Sequence, residues 1–212
     1  MSKITPFIVG ITGASGSGKT SLIRQVCDEF KEHELCLVSQ DNYYKPQDQQ
    51  QKDENNVINF DTPSCFDFDR YAADVSALRS GLTVEIEEYT FNNIVKKPKI
   101  IKLFPAPIII VEGLFTFHEE KLRELFDLKV FVDVADHIGL KRRILRDNEE
   151  RGYDLQDVLY RYEYHVFPAF QKYIVPHKYE ADIIIPNNLH FEKGLEVLVA
   201  FLKTKLQISH HN

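Results

Sequence analysis

Five short apolar runs recur along the chain, and each is followed by a polar or glycine-containing turn. They cover residues 7–12, 35–39, 106–113, 128–134 and 181–186. Continuous apolar runs of this length, rich in β-branched residues, are typical of strands buried on both faces. Apolar positions at helical spacing fall between and after them, from Gly18 onward and at 71–78, 135–152, 155–173 and 192–206. This alternation predicts an α/β fold, a five-stranded parallel sheet with helices on both faces.

Two further segments have the alternating pattern of a β-hairpin rather than of a buried strand. Residues 83–91 and 97–105 alternate in part between apolar and polar side chains, and the sequence NNIVK separates them. We therefore expect a hairpin that projects from the main sheet. Residues 48–56 are polar and rich in glutamine, and we expect most of them to form a solvated loop. No linker divides the pattern, so 1–212 is predicted to be a single domain.

Composition excludes several classes of protein. The chain has 212 residues, of which 43% are hydrophobic and 27% charged, and its net charge is −6. A general nucleic-acid surface is not expected at this charge, so any anion must be held by a local basic site. The three cysteines show no metal-ligand or disulfide spacing, and no apolar run is long enough to cross a membrane. A reduced, cytoplasmic protein is the expectation.

The first predicted strand leads into a loop built to hold phosphate. The pattern G-x-x-x-x-G-K-[ST] is met by Gly13, Ala14, Ser15, Gly16, Ser17, Gly18, Lys19 and Thr20. Its position between a strand and a helix allows backbone N–H groups and the helix dipole to meet phosphate oxygens. Lys19 would supply charge to the β- and γ-phosphates, and the Thr20 hydroxyl could bind Mg²⁺. The loop predicts a nucleoside-triphosphate site.

Three acidic residues follow predicted strands, where ligands of open α/β sheets bind. Asp41 is well placed to accept a proton from an incoming hydroxyl, with a helix-cap or loop role as the alternative. Glu112 ends an apolar strand, which favours Mg²⁺ as its partner but leaves a structural salt bridge open. Asp61 could bind two adjacent hydroxyls of a sugar, or could be an ordinary turn residue.

A basic helix segment, KRRILRDNEERG, follows the fourth strand. Arg142, Arg143 and Arg146 lie close on a helix, so that their guanidinium groups can converge on an anion, and Arg151 follows. With Gly152 beside it, the segment could move as a lid over a triphosphate. The alternative is a solvated face on which these arginines pair with neighbouring acidic residues.

Taken in order, these motifs resemble the uridine kinase family, in the phosphoribulokinase/uridine kinase group of P-loop kinases. The resemblance spans about residues 7–186 and rests on eight segments: GASGSGKT, SQDNYYK, NFDTPSCFD, EEYTF, IIIVEGLF, FVDV, KRRILRDNEERG and YEADIIIP. The P-loop alone is generic, but this series in this order is specific. It implies an ATP-dependent kinase that phosphorylates the 5′-hydroxyl of a nucleoside.

The resemblance also implies roles for individual residues. Asp41 would be the catalytic base, Thr20 and Glu112 would hold Mg²⁺, and Asp61 would hold the ribose hydroxyls. Arg143, Arg146 and Arg151 would contact substrate and phosphate near the lid. The acceptor pocket would be lined by Tyr44, Tyr89 and Phe91. The partners would be ATP and a small-molecule acceptor, without nucleic acid or membrane, and the assembly a homotetramer.

Three departures from the family pattern fall in the part that would read the base. Ile94 stands where a histidine is usual, Tyr153 where an arginine is usual, and Arg161 where a glutamine is usual. Each lost hydrogen-bond partner at a buried polar edge costs about 1–3 kcal/mol, enough to change which base is accepted. Two alternatives therefore stay open: a kinase for another alcohol, such as a sugar, sugar phosphate or pantothenate-like compound, and a nucleotide-binding regulator without catalysis.

Overall fold

A computed structural model describes residues 5–90, 97–149 and 152–211, with side chains to residue 207. Seven strands are formed: β1 Phe7–Gly13, β2 Leu35–Ser39, β3 Val84–Glu87, β4 Ile100–Leu103, β5 Ile108–Glu112, β6 Leu128–Asp133 and β7 Ile183–Pro186. The α-helices are α1 Lys19–Asp28, α2 Phe68–Arg79, α3 Glu120–Arg123, α4 Asp136–Glu149, α5 Leu155–Arg161, α6 Phe167–Ala169 and α7 Glu192–His211. The short α3 was not predicted, because four residues carry too little periodicity.

The central sheet confirms the predicted fold class. Five strands are parallel in the order β2-β5-β1-β6-β7. In the central strands β1 and β5, alternate residues enter different cores, so that Ile8 and Ile109 pack with α2 while Val9 and Ile110 pack with α1 and α7. Because all five strands run the same way, their carboxyl ends lie along one edge of the sheet, where ligand sites of such folds are found.

The predicted hairpin is formed by β3 and β4, which pair antiparallel as a separate two-stranded sheet. Val84, Ile86 and Leu103 are buried against the α2 side of the core, so the hairpin is anchored at its base. Its tip, which includes Phe91 and Ile94, lies outside the described residues.

The aromatic stretch after residue 155 is helical, as predicted, but it is not one regular α-helix. After α5 the chain forms π-helical turns at Tyr162–Val166 and Phe170–Ile174, with α6 between them. A π turn widens the helix by one residue and is frequent near functional sites. Within the described ranges, no helix has the length and apolar character needed to span a membrane.

Candidate functional site

The phosphate loop, residues 13–20, joins the end of β1 to the start of α1. Gly16 and Gly18 have φ values of 76° and 89°, a left-handed conformation that glycine adopts without strain. A Cβ on Gly16 would collide with the carbonyl oxygen of Gly139 in α4, and one on Gly18 would collide with the amide of Asn187. The motif glycines are therefore required both by backbone conformation and by the close approach of neighbouring elements.

A pair of glycine variants separates these two requirements. Gly152 has a φ of 69° but no atom within 4 Å of a Cβ built on it. Gly152→Ala should lower the free energy of unfolding by about 1–2 kcal/mol, the usual cost of an alanine in this conformation. Gly16→Ala should cost more and should also weaken ATP binding, because the loop must move away from Gly139. Urea unfolding and ATP titration of both variants measure the difference, and equal losses would contradict it.

Two side chains distant in the sequence hold the phosphate loop in shape. The amide of Asn187, which follows β7 and is buried, donates to the carbonyl of Ser17 at 2.7 Å. The guanidinium of Arg143 donates to the Ser15 hydroxyl at 2.9 Å. Sequence reasoning missed Asn187, and the only signal for it is a polar residue directly after a buried strand.

Lys19 lies within the curve of this loop. Its ammonium group donates to the carbonyls of Gly13 at 2.8 Å and Ala14 at 3.0 Å. Burial lowers the pKa of Lys19 to about 8, and the carboxylates of Glu112 and Asp41 partly oppose this effect. The cation and both acidic residues therefore occupy one electrostatic site.

The acidic side of the site is built by the ends of β2 and β5. Ser39 and Glu112 are register partners across these strands, and the Ser39 hydroxyl donates to Glu112 at 2.5 Å. Asp41 follows in a 3₁₀ turn, Gln40–Tyr43, whose first residue is preceded by Ser39 as N-cap. Burial raises the pKa of Glu112, and the nearby Asp41 carboxylate raises it further. The sheet edge thus brings two carboxylates together beside Lys19.

This donor set fits Mg²⁺ bound together with a triphosphate. The described residues contain no group of three or more His, Cys, Asp or Glu side chains arranged for a metal. Mg²⁺ does not need one, since it is usually held by one or two carboxylates with water and phosphate oxygens. The mutual repulsion that raises the pKa of Glu112 would be relieved by a cation. Thr20, at the second position of α1, would supply a hydroxyl ligand.

An aromatic cluster lies beyond Asp41. The Tyr44 ring stacks on Tyr89 with centroids 4.7 Å apart and contacts Phe66 at 4.1 Å. The backbone N–H of Tyr89 donates to the Asn42 side chain at 3.1 Å, so the hairpin is tied to the turn that carries Asp41. Burial raises the pKa of Tyr44, and Asp41 and Asp61 contribute to the rise. Tyr44 therefore lies near both carboxylates.

Asp61 and the arginines of α4 close the other side of this region. Arg143 is buried, with its guanidinium 3.7 Å from the Asp61 carboxylate and 3.1 Å from that of Asp147. Arg146 donates twice to Asp147, at 2.8 and 2.9 Å. The alternative from the sequence was that these arginines pair with acidic residues on a solvated face. Arg143 and Arg146 do pair with Asp147, but the Asp147 carboxylate is buried.

Not all of the predicted arginine cluster converges. Arg142 donates to the backbone carbonyl of Asn187 at 2.9 Å and so faces the loop after β7. The expectation that Arg142, Arg143 and Arg146 share one anion site was wrong for Arg142, because successive residues on a helix face different directions. Arg151 lies outside the described residues.

The loop after β7 and the start of α1 enclose a cavity of about 340 Å³, which sequence reasoning missed. It is lined by Gly18, Ser21, Gln25, Arg142, Asn187, Leu189, His190, Phe191 and Glu192. The cavity adjoins the phosphate loop through Gly18 and is separate from the aromatic cluster. A ligand with phosphate in the loop could therefore extend a ring into this cavity.

Two of the three departures from the family pattern contact each other. The Arg161 guanidinium lies 5.4 Å from the centroid of the Tyr153 ring, a cation–π distance. Arg161 also donates to the Asp157 carboxylate and to the carbonyl of Ile58, each at 3.1 Å. Ile58 precedes Asp61 by three residues, so the Arg161–Tyr153 pair contacts the segment that leads to Asp61.

A parallel sheet whose first strand leads into a G-x-x-x-x-G-K-T loop, with carboxylates at the adjoining strand ends, defines a P-loop kinase fold. Residues 8–190 match the Phosphoribulokinase / Uridine kinase family, and the chain belongs to it. The resemblance stated from the motifs is thereby confirmed.

Individual relatives agree with this assignment. A uridine kinase of Listeria innocua is 36% identical over 202 residues, which cover 95% of this chain and 97% of the relative. Uridine-cytidine kinase B of Dictyostelium discoideum is 34% identical over 201 residues, covering 95% of this chain and 83% of the relative. The solved phosphoribulokinase of Rhodobacter spheroides superposes with a TM-score of 0.63 at 17% identity, over 87% of this chain and 71% of that one. The similarity to the phosphoribulokinase is one of fold.

Proposed function

We propose that this chain is an ATP- and Mg²⁺-dependent kinase that transfers the γ-phosphoryl group to the 5′-hydroxyl of a nucleoside, in pyrimidine salvage. One observation carries the proposal: Asp41 stands in the turn between Ser39, whose hydroxyl donates to Glu112, and Asn42, whose side chain accepts from Tyr89 of the aromatic cluster. The Asp41 carboxylate accordingly influences the pKa of Lys19, Glu112 and Tyr44. A base at this position adjoins both a triphosphate in the loop and an acceptor among the aromatic rings. The named relatives, which are uridine and uridine-cytidine kinases, support the nucleoside as acceptor.

On the donor side, residues 13–20 bind the phosphates, and the 340 Å³ cavity takes the base of ATP. Lys19 moves its ammonium from the loop carbonyls to the β- and γ-phosphate oxygens, which neutralises charge on the transferring group. Thr20 and Glu112 would hold Mg²⁺, which would supply Lewis-acid stabilisation of charge on the phosphate oxygens.

On the acceptor side, the oxygen of the acceptor hydroxyl bonds to the γ-phosphorus as the bond from that phosphorus to ADP breaks, and Asp41 accepts the hydroxyl proton. Asp61 accepts hydrogen bonds from the ribose 2′- and 3′-hydroxyls, while Tyr44 and Tyr89 pack against the acceptor. Arg143 contacts both Ser15 of the phosphate loop and Asp61, and so links the two subsites. Arg146 becomes a phosphate contact when it leaves Asp147. From the family resemblance, we also propose that Phe91 lines the acceptor pocket and that Arg151 contacts substrate and phosphate.

A second acceptor class is favoured by the Arg161–Tyr153 pair. A guanidinium with an aromatic ring beneath it suits an anionic or carbonyl-bearing group. A sugar phosphate or a pantothenate-like acid would offer such a group, and so would a nucleobase with differently placed acceptors. The phosphoryl-transfer residues would be the same in each case.

The deciding experiment is an acceptor screen that follows ADP formation with ATP and Mg²⁺. The panel contains ribo- and deoxyribonucleosides, sugars, sugar phosphates and pantothenate, and the product is located by phosphorus NMR. We expect turnover with a pyrimidine nucleoside and phosphate on its 5′ oxygen. Turnover with a non-nucleoside alone would establish the second class. ATP binding without ADP formation above the rate with water would indicate a non-catalytic regulator.

The remaining features of the proposal concern the whole molecule. The five-stranded sheet, whose strands come from residues 7 to 186, supports treating 1–212 as one kinase domain. The unpaired thiols of Cys27, Cys36 and Cys65 support a cytoplasmic location. A homotetramer is proposed from the family resemblance. Sedimentation of the purified enzyme tests the assembly.

A further inference from the structure

The loop before Asp61 is anchored by the carboxylate of Asp53. One oxygen of Asp53 accepts from the Tyr160 hydroxyl at 2.6 Å and lies 2.8 Å from Nε2 of His165. The other oxygen accepts from the backbone N–H groups of Asn55 and Val57, at 2.9 and 2.8 Å. These bonds hold the pKa of Asp53 well below its usual range, the largest contribution being that of Tyr160. Most of residues 48–56 are exposed, as expected, but Asp53 is half-buried and both of its carboxylate oxygens are hydrogen-bonded.

The same carboxylate organises the chain up to Asp61. Asp53 and Val57 are also joined through their backbones at 2.9 Å, and Lys52 bridges to Ile58. The carbonyl of Ile58 accepts from Arg161. The next residue, Asn59, accepts with its side chain from the backbone N–H of Asp61 at 2.9 Å. Hydrogen bonds between Asp53 and Val57 and between Asn59 and Asp61, joined by the backbone of residues 57–59, thus connect Asp53 to Asp61.

The π turn after α5 allows Tyr160 and His165 to reach one carboxylate oxygen. Residues five apart in a regular α-helix lie about 140° apart around its axis, at 3.6 residues per turn. His165 belongs to the π turn Tyr162–Val166, whose wider spacing reduces this angle. His165 is 2% exposed, so a buried imidazole points out of the helix to a loop carboxylate.

We propose that Asp53, Tyr160 and His165 form a clamp that positions Asp61 for the acceptor. They are positioning residues: none needs to touch the substrate, and their effect passes through the turn at 53–58. The inference rests on the proposed acceptor role of Asp61, but not on which acceptor is used. None of the contacts of the clamp involves the phosphate loop, and the link between the two subsites passes through Arg143, so we expect the clamp to affect the acceptor much more than ATP.

The test compares Asp53→Ala with Glu54→Ala, an exposed acidic neighbour outside the clamp. The acceptor is whichever compound wild-type enzyme phosphorylates best in the screen. Asp53→Ala should lower kcat/KM for that acceptor about 10- to 100-fold, the range that displacement of a positioning group produces. The Kd of ATP should stay within about two-fold of wild type, and Glu54→Ala should match wild type in both. Tyr160→Phe, which removes one hydroxyl, should give a smaller loss of the same kind.

Hydrogen exchange of the free protein gives a second readout that needs no acceptor. Asp53→Ala should lose protection at the amides of Val57, Asn59 and Asp61, while the amides of β1 stay protected. Retained protection at 57–61, or acceptor kinetics equal to those of Glu54→Ala, would overturn the clamp. If no acceptor is found, the proposed function fails on the screen, and the exchange result alone decides the clamp.

Discussion

Asp41→Asn should lower kcat about 10²- to 10⁴-fold, the contribution of a positioned general base, while ATP still binds. The amide is nearly the same size as the carboxylate but cannot accept the hydroxyl proton. Asp41 lies close enough to raise the pKa of Glu112 and to oppose the lowering of the pKa of Lys19. Loss of its negative charge should therefore leave the affinity for ATP unchanged or slightly increased. Initial rates with saturating acceptor, together with an ATP titration, measure both effects.

Asp48→Asn is the matched control, because it makes the same substitution at an exposed aspartate in the loop that follows the Asp41 turn. It should have wild-type kcat. An Asp41→Asn enzyme with kcat within about three-fold of wild type would exclude Asp41 as the general base.

Lys19→Met should lower kcat about 10²- to 10³-fold, the effect of removing one donor to a developing negative charge. The same variant should not be less stable than wild type. Burial lowers the pKa of Lys19 to about 8, so the folded state holds this cation less favourably than water does. The penalty is complete below pH 8 and is relieved as the pH rises toward 10.5, the ordinary pKa of a lysine side chain. Urea unfolding at pH 7 and 9 should show the wild type gaining stability relative to Lys19→Met.

The same lowered pKa predicts a proton linked to ATP binding. Phosphate oxygens favour the charged ammonium, so binding at pH 8 should take up about half a proton, and the affinity should fall at higher pH. Calorimetry in two buffers with different ionisation enthalpies measures the uptake. Lys19→Arg remains charged and should remove it, whereas equal uptake by that variant would assign the proton to another group.

The fold and the donor half of the site were predictable because local signals determine them. The five apolar runs became the five parallel strands, and the glycine–lysine pattern required one backbone path between β1 and α1. Glu112 and Asp41 could be placed near Lys19 because the carboxyl ends of parallel strands share an edge. Their roles in catalysis remain predictions.

Contacts between distant side chains were not predictable from the sequence. Nothing local shows that Asp53 is bound by Tyr160 and His165, since a polar stretch rich in glutamine also suits a solvated loop. The hydrogen bond from Arg142 to the loop after β7, and the one from Asn187 to the phosphate loop, depend on how α4 and the loop after β7 pack. The π turns were missed because residues 155–173 were assigned as one helical stretch, without locating the shift in phase that each inserted residue introduces.

The bond from Asn187 to Ser17 joins residues 170 positions apart, which has a consequence for synthesis of the protein. The nucleotide-binding motif is translated well before β7, yet it lacks the hydrogen bond from Asn187 until β7 has been made. ATP should therefore stabilise a partly synthesised chain less than the complete fold, because ligands stabilise only the folded state that binds them. Although this motif is made early, it should be among the last parts to become functional, and chains that stop before β7 should be more susceptible to proteases.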